Sequence, residues 1–356
     1  MDADLKALLV LNRLQALGRM RAHAYFDHGG RPSEFLTSFM RGARGGELAP
    51  FLEAWEPERE ADSCARRGVN LIAWGASNYP RALLSLPDPP LVLYTQGALF
   101  PEDFYALAIV GSRHPSLYGR ETSRRFAREL ASSGITIVSG LARGIDGDAH
   151  RGAIEGGGRT VGVLGCGLDV IYPPEHAALY RELAERGAVV TELPLGTPPE
   201  PYHFPRRNRL VSGLALGVLV VEAGDKSGSL ITAELAAEQG REVFAVPGRI
   251  DSLNSRGTNR LIRQGACLVQ SPEDILAELA PVLRGYLARD TQPESEAPEA
   301  GDAFLAALGQ EPLSLEEIAA VTRMRPEQVS SGITRLELRR KVRKLPDGRY
   351  ARADRK

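Results

Sequence analysis

Arg206, Arg207 and Arg209 crowd one short stretch of the segment PYHFPRRNRLVSGLALGVLVVEA. Apolar residues at Leu210, Val211, Leu214 and Ala215 follow at helical spacing and predict a helix that begins near Pro205 or Arg206. A helix start already carries partial positive charge, so each guanidinium there is unfavourable by about 0.3 kcal/mol or more. An anion held between the arginines and the free backbone N–H groups removes the conflict, and a phosphate suits both. Phe204 offers an aromatic face to a base, a contact worth roughly 1–3 kcal/mol. Asn208 carries a donor and an acceptor that can read a base edge. Arginine and aromatic side by side point to nucleotides in a strand more than to free phosphate. Each feature alone has a plainer explanation: a run of arginines is usually a solvated face, and a lone phenylalanine is usually core.

A sheet must position these residues. From about residue 105, short apolar runs end in glycine or a turn: YALAIVG, GITIVSG, RTVGVLG, GAVVTELP, LGVLVVEAG and REVFAVPG. Unbroken apolar runs of this length suit parallel strands covered on both faces. Helical candidates near 119–132, 146–155, 175–186, 206–215, 229–239 and 257–264 alternate with them, which predicts a doubly wound α/β domain. Ligands of such sheets gather beyond the carboxyl ends of the strands. Those ends carry GSRHPSLYGR, SGLARGIDGDAH, GCGLDVIYPPEH and EAGDKSGSLITAE. Gly111 and Gly140 would let a ligand approach the backbone, though either can serve only a tight turn. Ser112, Ser227, Gly228 and Ser229 sit in the same class of loop, where exposed N–H groups can hold an anion. Arg113 and Arg143, with Arg207 and Arg209, would make a basic pocket from segments far apart in sequence. Asp146, Asp148 and His150 resemble a catalytic cluster, but they fall at a helix start, where acids are favoured in any case. Asp169 and Glu222 carry the same ambiguity.

Composition sets the limits. The 356 residues suggest two or three domains at roughly 150 residues each. With 43% hydrophobic and 25% charged residues the chain is of ordinary globular type, and its net charge of −1 leaves nucleic-acid affinity to local patches. Cys64, Cys166 and Cys267 show no metal spacing and read as buried, reduced thiols. No HxxxH or HExxH occurs, so no zinc site is expected. The start MDADLKALLVLNRLQALG is neither a signal peptide nor long enough to span a bilayer, which predicts a soluble, cytoplasmic protein. There is no GxxxxGK[ST], no GxGxxG in GVLGCG and no nucleophile elbow, so nothing marks a machine for breaking bonds, and no cofactor is expected.

The organisation predicted along the chain is a helical domain at 1–65, a strand-containing connector at 66–104, and the sheet domain at 105–287. An acidic flexible linker follows at 288–300, and a small winged-helix domain at 301–356. Within the last, Ser314 and Glu317 form a capping box, Pro326 opens a helix carrying Val329, Ile333, Leu336 and Leu338, and Asp347–Gly348 tips a hairpin. Arg335, Arg339, Arg340, Lys341, Arg343 and Lys344 cluster where a recognition helix would pass into a wing, which fits duplex DNA or a protein partner.

The ordered series GSR (111–113), SGLARGIDGDAH (139–150), GCGLDVIYP (165–173), FPRRNRLVSGL (204–214), VVEAGDKSGSLITAELAAEQGREVFAVPG (220–248) and GTNRLIRQGA (257–266) resembles the bacterial DNA-processing protein A (DprA/Smf) family. The likeness covers about 105–287 closely, and YP…LPDPPLVLY in the connector fits too. It implies an extended Rossmann-like parallel sheet with an N-terminal domain resembling a sterile alpha motif and a C-terminal winged helix. It implies a non-enzymatic, dimeric protein of natural transformation that binds and protects single-stranded DNA and loads the RecA recombinase. Its single-strand site would use Arg113, Phe204, Arg207, Asn208 and Arg209. Ala215 departs from the serine expected there. A different class of function, a nucleotide phosphoribohydrolase on a related sheet, would need a PGGxGT-type loop with a nearby glutamate, where this chain reads SGSLITAE.

Overall fold

The computed structural model describes residues 2–20, 25, 30–42, 45–48, 50, 52, 55–289, 308, 312–322, 329, 333, 336, 342–345 and 348–352. Residues 1–277 make one compact unit and 278–356 a second. In the first unit, α1 (Ala3–Ala16), α2 (Pro32–Arg41), α3 (Gly45–Leu48) and α4 (Pro57–Arg66) precede a nine-stranded sheet. The sheet order is β1-β2-β6-β5-β4-β3-β7-β8-β9. Its strands are β1 (Asn70–Ala73), β2 (Val92–Gly97), β3 (Ala106–Val110), β4 (Thr136–Ser139), β5 (Thr160–Val163), β6 (Ala188–Thr191), β7 (Gly217–Val220), β8 (Glu242–Ala245) and β9 (Cys267–Leu268). The crossover helices are α5 (Leu117–Ser132), α6 (Ile145–Glu155), α7 (Ala177–Arg186), α8 (His203–Gly213), α9 (Gly228–Glu238) and α10 (Arg256–Arg263).

From β6 to β9 every pairing is parallel. These strands are buried for the reason their composition gives: Ala106–Val110, Thr136–Ser139 and Gly217–Val220 are covered along their whole length. One core joins the sheet to α8, α9 and α10 through Val110, Val138, Val163, Leu210, Leu230 and Leu261. Another joins α1 and α7 to the sheet through Leu9, Leu11, Leu14, Tyr94, Leu183 and Val189. Two expectations are corrected here. The connector at 66–104 is not a bridge between bodies, because β1 and β2 enter the same sheet. They pair antiparallel with each other and, through Tyr94 opposite Thr191, with β6, so the sheet is mixed at this edge. The N-terminal helices also belong to the same unit. Asn12 on α1 donates to the Glu192 carbonyl (2.8 Å) and accepts from the Val92 N–H (3.1 Å), which pins the helix across β2 and the end of β6.

Cys64 and Cys166 are buried, and burial pushes their thiols up to about 12 and about 11. Cys267, expected to be buried, is only half covered, because β9 is an edge strand. No helix among the described residues is long and apolar enough to cross a membrane.

In the second unit, α11 (Leu315–Thr322) begins with the expected capping box: the Ser314 N–H donates to Glu317 Oε2 (2.7 Å) and the Glu317 N–H to Ser314 Oγ (3.2 Å). β10 (Val342–Lys344) and β11 (Tyr350–Arg352) form the hairpin. Ile318, Val329, Ile333, Leu336, Val342 and Tyr350 form the core of this winged-helix unit. Arg343 and Lys344 are exposed on β10. Arg335, Arg339, Arg340 and Lys341, with Pro326, Leu338 and Asp347, lie outside the described residues, as does the linker from 290 to 300.

Candidate nucleic-acid interface

The strand order changes direction at β3. The chain moves outward to β4, β5 and β6 on one side and returns to β7 on the other. The loop after β3 therefore stands at the switch point, where a crevice opens beyond the strand ends. It carries Gly111, Ser112 and Arg113. The Ser112 N–H donates to the Glu222 carbonyl beyond β7 (2.7 Å), and its own carbonyl accepts from the Ile145 N–H (3.2 Å). Glu222, buried, also accepts from the Ser116 N–H (2.8 Å) and hydroxyl (2.5 Å). The carboxylate holds Ser116, the residue that caps α5. Its place is structural, which resolves the ambiguity in the sequence. Asp169 is also structural, accepting from the Gly196 N–H (2.7 Å). Gly144 follows β4 with φ +76°, and a Cβ there would strike the Ser112 carbonyl, so only glycine lets the two loops touch.

The arginines of α8 are not arranged as expected. The helix begins at His203, not near Pro205 or Arg206, so Arg206 closes its first turn and Arg207 and Arg209 lie beyond it. The dipole penalty, confined to that turn, does not fall on Arg207 and Arg209. None of the three is a free cation. Arg207 is buried and donates to the carbonyls of Gly140 (2.5 Å) and Val163, at the tips of β4 and β5. A Cβ on Gly140 would lie 2.7 Å from the Arg207 guanidinium carbon, so this glycine admits an arginine of the protein itself rather than a ligand. Burial lowers Arg207 to about 10, and the nearby Asp146 carboxylate acts against that shift. Arg206 and Arg209 both donate to Glu192 at the end of β6 (3.3 and 2.5 Å), and Arg206 also reaches the carbonyls of Gln15 (2.5 Å) and Ala16 (3.0 Å) at the end of α1. The trio ties α8 to three strand tips and to α1.

What remains at the surface is a rim. Arg113 is exposed, has no carboxylate within ion-pair distance among the described residues, and lies over the Phe204 ring at 5.5 Å. Phe204 is half-buried and meets Tyr172 at 5.5 Å between ring centres. Arg143 is exposed and forks onto Glu175 through Nε and Nη2, the latter at 3.1 Å. Asn208 donates to the Gly228 carbonyl (3.4 Å) and so joins α8 to the start of α9. There Ser227 caps the helix, accepting from the Ser229 N–H (3.4 Å) and meeting its hydroxyl at 2.7 Å, and nothing would obstruct a Cβ on Gly228. The cleft that Arg113, Ala142, Arg143, Tyr172 and Phe204 border has water-sized room of about 10 Å³, space for roughly one water. Arg207 and Phe204 line it, and it is too small to take in a nucleotide.

Two residues here escaped the sequence reading. Tyr172 sat unremarked in the IYP motif, whose only local signal was an aromatic beside proline. Lys226 precedes the Ser227 cap, exposed and without an ion pair among the described residues. Its signal was a lysine beside the serines of a strand-to-helix loop.

The cluster that looked catalytic is part of the scaffold. Asp148 pairs with Arg120 (3.1 Å) and Arg151 (3.5 Å), and Asp146 accepts from the Ala142 N–H (3.4 Å). His150 is buried. Its Nδ1 donates to Thr160 Oγ1 (2.6 Å), because that hydroxyl in turn donates to the Ile137 carbonyl (2.8 Å). Burial pushes the imidazole down to about 3 from an ordinary 6.5. Between those values the unfolded chain binds a proton that the folded chain refuses. Stability is therefore complete above about pH 6.5 and falls as pH drops, by up to about 1.4 kcal/mol per pH unit. His150→Leu is expected to flatten that slope, read from denaturation midpoints at about pH 5 and about pH 7. A slope identical to wild type would contradict the buried, neutral assignment.

The family model for DNA recombination-mediator protein A matches residues 70–280, and the DprA winged helix domain matches residues 288–348. Protein Smf of Escherichia coli is 52% identical over 211 residues, which is 59% of this chain and 56% of that protein's length. The X-ray structure of DNA processing protein A from Streptococcus pneumoniae matches with a TM-score of 0.60 at 34% identity, over 77% of this chain and 93% of that one. A Helicobacter pylori structure, described as giving insight into the single-stranded DNA binding mode of its DNA processing protein A, matches with a TM-score of 0.54 at 32% identity, over 60% of this chain and 96% of that one. With more than half of its length matched by the recombination-mediator model and a winged helix of the DprA kind beyond it, this chain belongs to the DprA/Smf family.

Proposed function

We propose that this protein binds single-stranded DNA across the strand-tip rim, without cleaving it, and hands it to recombination. The observation that carries the reading is Arg113: an exposed guanidinium with no carboxylate partner among the described residues, laid over the Phe204 ring at the switch point of the sheet. A cation above an aromatic ring offers one group for a phosphate and another for an unstacked base. Duplex DNA keeps its bases stacked and would use only the first. Arg143, Asn208, Ser227, Gly228 and Ser229 flank the path, with Gly111 and Ser112 shaping the Arg113 loop. Arg207 and Arg209 serve as positioning residues that hold Phe204 and Asn208 in place. The single-strand binding named for the H. pylori relative supports the same reading. Protection of incoming strands in transformation, loading of RecA, work as a homodimer and a cytoplasmic site of action rest on family membership. A duplex or protein contact through Arg339, Arg340, Lys341 and Arg343 rests on charge alone.

Photocrosslinking tests the path. A single strand carrying a photoreactive pyrimidine is expected to attach to the peptides holding Phe204 and Tyr172. Attachment confined to the opposite ends of the strands, or to the winged helix, would overturn the reading.

A further inference from the structure

The GTNRLIRQGA segment plays no part in the rim, yet it forms α10, which starts at the same edge of the sheet. The loops after β7 and β8 are the next two along that edge from Arg113. With strands about 4.8 Å apart, they continue the rim for a further ~10 Å. Asp225, after β7, faces Arg256 at 3.7 Å and Arg260 at 3.6 Å, and Arg260 Nη2 also donates to the Asp225 carbonyl (3.2 Å). All three side chains are about half exposed, and both ion pairs are longer than a charge-assisted hydrogen bond. Such contacts are weak and readily exchanged. Two cations share one carboxylate, and Lys226, next to Asp225 in sequence, is exposed without an ion pair among the described residues, so these four side chains carry a net charge of +2.

Apolar surface lies beside this charge. In the loop after β8, Ile250 is 93% exposed and Leu253 66%. On the first turn of α5, Leu117 is 71% exposed and Tyr118 56%. Asn254 brings the two segments together: its side chain donates to the His114 carbonyl (3.2 Å), and its own carbonyl accepts from the Ala223 N–H (2.7 Å). The loop is also braced from behind, where Asn259 and the Gly248 backbone exchange hydrogen bonds of 3.0 and 3.2 Å. Cations beside exposed apolar side chains, held on a braced loop, suit a polyanion whose bases are unstacked.

We infer that a single strand leaving the Arg113–Phe204 rim continues over the loops after β7 and β8, with Arg256 and Arg260 taking its phosphates and Leu253 and Ile250 beneath its bases. The inference rests on the single-strand reading above, and strand length separates the two. A strand of about 6 nucleotides occupies the rim, and one of about 20 reaches both surfaces. Fluorescence anisotropy near 0.1 M salt compares wild type, Arg113→Ala, the double variant Arg256→Glu/Arg260→Glu, and Asp225→Asn, each checked for an unchanged melting temperature. The double variant is expected to weaken the long strand on the order of 10-fold, to lower its salt slope by about 1.4, and to leave the short strand within about twofold. Asp225→Asn, which removes the competing carboxylate, is expected to tighten the long strand. Arg113→Ala weakens both lengths.

An unchanged long-strand affinity in the double variant, or equal losses on both lengths, overturns the extension while leaving the rim intact. A loss on duplex equal to that on the long single strand overturns it too, in favour of unspecific charge attraction. If Arg113→Ala leaves both lengths unaffected, the rim reading itself fails, whatever the double variant does. Should the double variant leave the long strand intact and instead lose an acidic peptide, the surface belongs to a protein partner.

Discussion

Arg207→Met is expected to lower the stability of the sheet unit by about 3–5 kcal/mol, because it removes one member of a buried charge arrangement. The Gly140 and Val163 carbonyls lose their shared donor, and Asp146, buried beside the guanidinium, loses the charge that offsets its burial. Each carbonyl left without a donor costs about 1–3 kcal/mol, and protonation of Asp146 limits the remainder. Arg207→Lys is not expected to restore the loss in full, since Nη1 alone serves both carbonyls and a lysine nitrogen ends one bond short of it. The check is the denaturant midpoint of the unfolding transition, with its slope unchanged. A wild-type midpoint together with lost DNA affinity would show that Arg207 touches DNA directly and is not the brace that the structure shows.

The expectation for Arg207 and the finding differ for a physical reason. Residue type was legible: a phenylalanine, an asparagine and three arginines near a sheet edge do build a site. Which charges are already neutralised inside the fold was not, because that depends on residues far away in sequence. Glu192 ends the apolar run GAVVTELP, and its carboxylate, 3% exposed at the residue level, takes two of the three guanidinium groups. A lone acid closing a buried strand was the one available sign, and it does not name its partner. A start near Pro205 or Arg206 was expected, whereas the helix opens at His203, and that offset leaves only Arg206 of the three arginines in the first turn.

The sheet was more legible. Each of the six apolar runs holds a strand, since burial on both faces leaves a composition that no amphipathic helix shares. β9 was missed because two residues carry no period. The antiparallel attachment of β2 to β6 was missed because the direction of pairing is settled by where the chain turns, not by local alternation. In the winged helix the capping box and the buried Val329, Ile333 and Leu336 followed from local pattern alone.

Arg113→Ala is expected to behave in the opposite way to Arg207→Met: little change in stability, and a large loss of single-strand affinity. Its side chain is exposed, and its one aromatic contact is worth about 0.5–1 kcal/mol at such a site. The variant loses a cation whose neutralised phosphate contributes about 0.7 to the salt slope, and it loses the group that lies over Phe204. A fall of at least about 10-fold near 0.1 M salt is expected for single strands, with a smaller effect on duplex. The decisive measurement is a titration of wild type and Arg113→Ala with single-stranded and duplex oligonucleotides at two salt concentrations. Preference for single strands in the wild type, lost together with part of the salt dependence in the variant, is the predicted result. Equal affinity of the two proteins for single strands, with equal slopes, would contradict a strand gripped between Arg113 and Phe204.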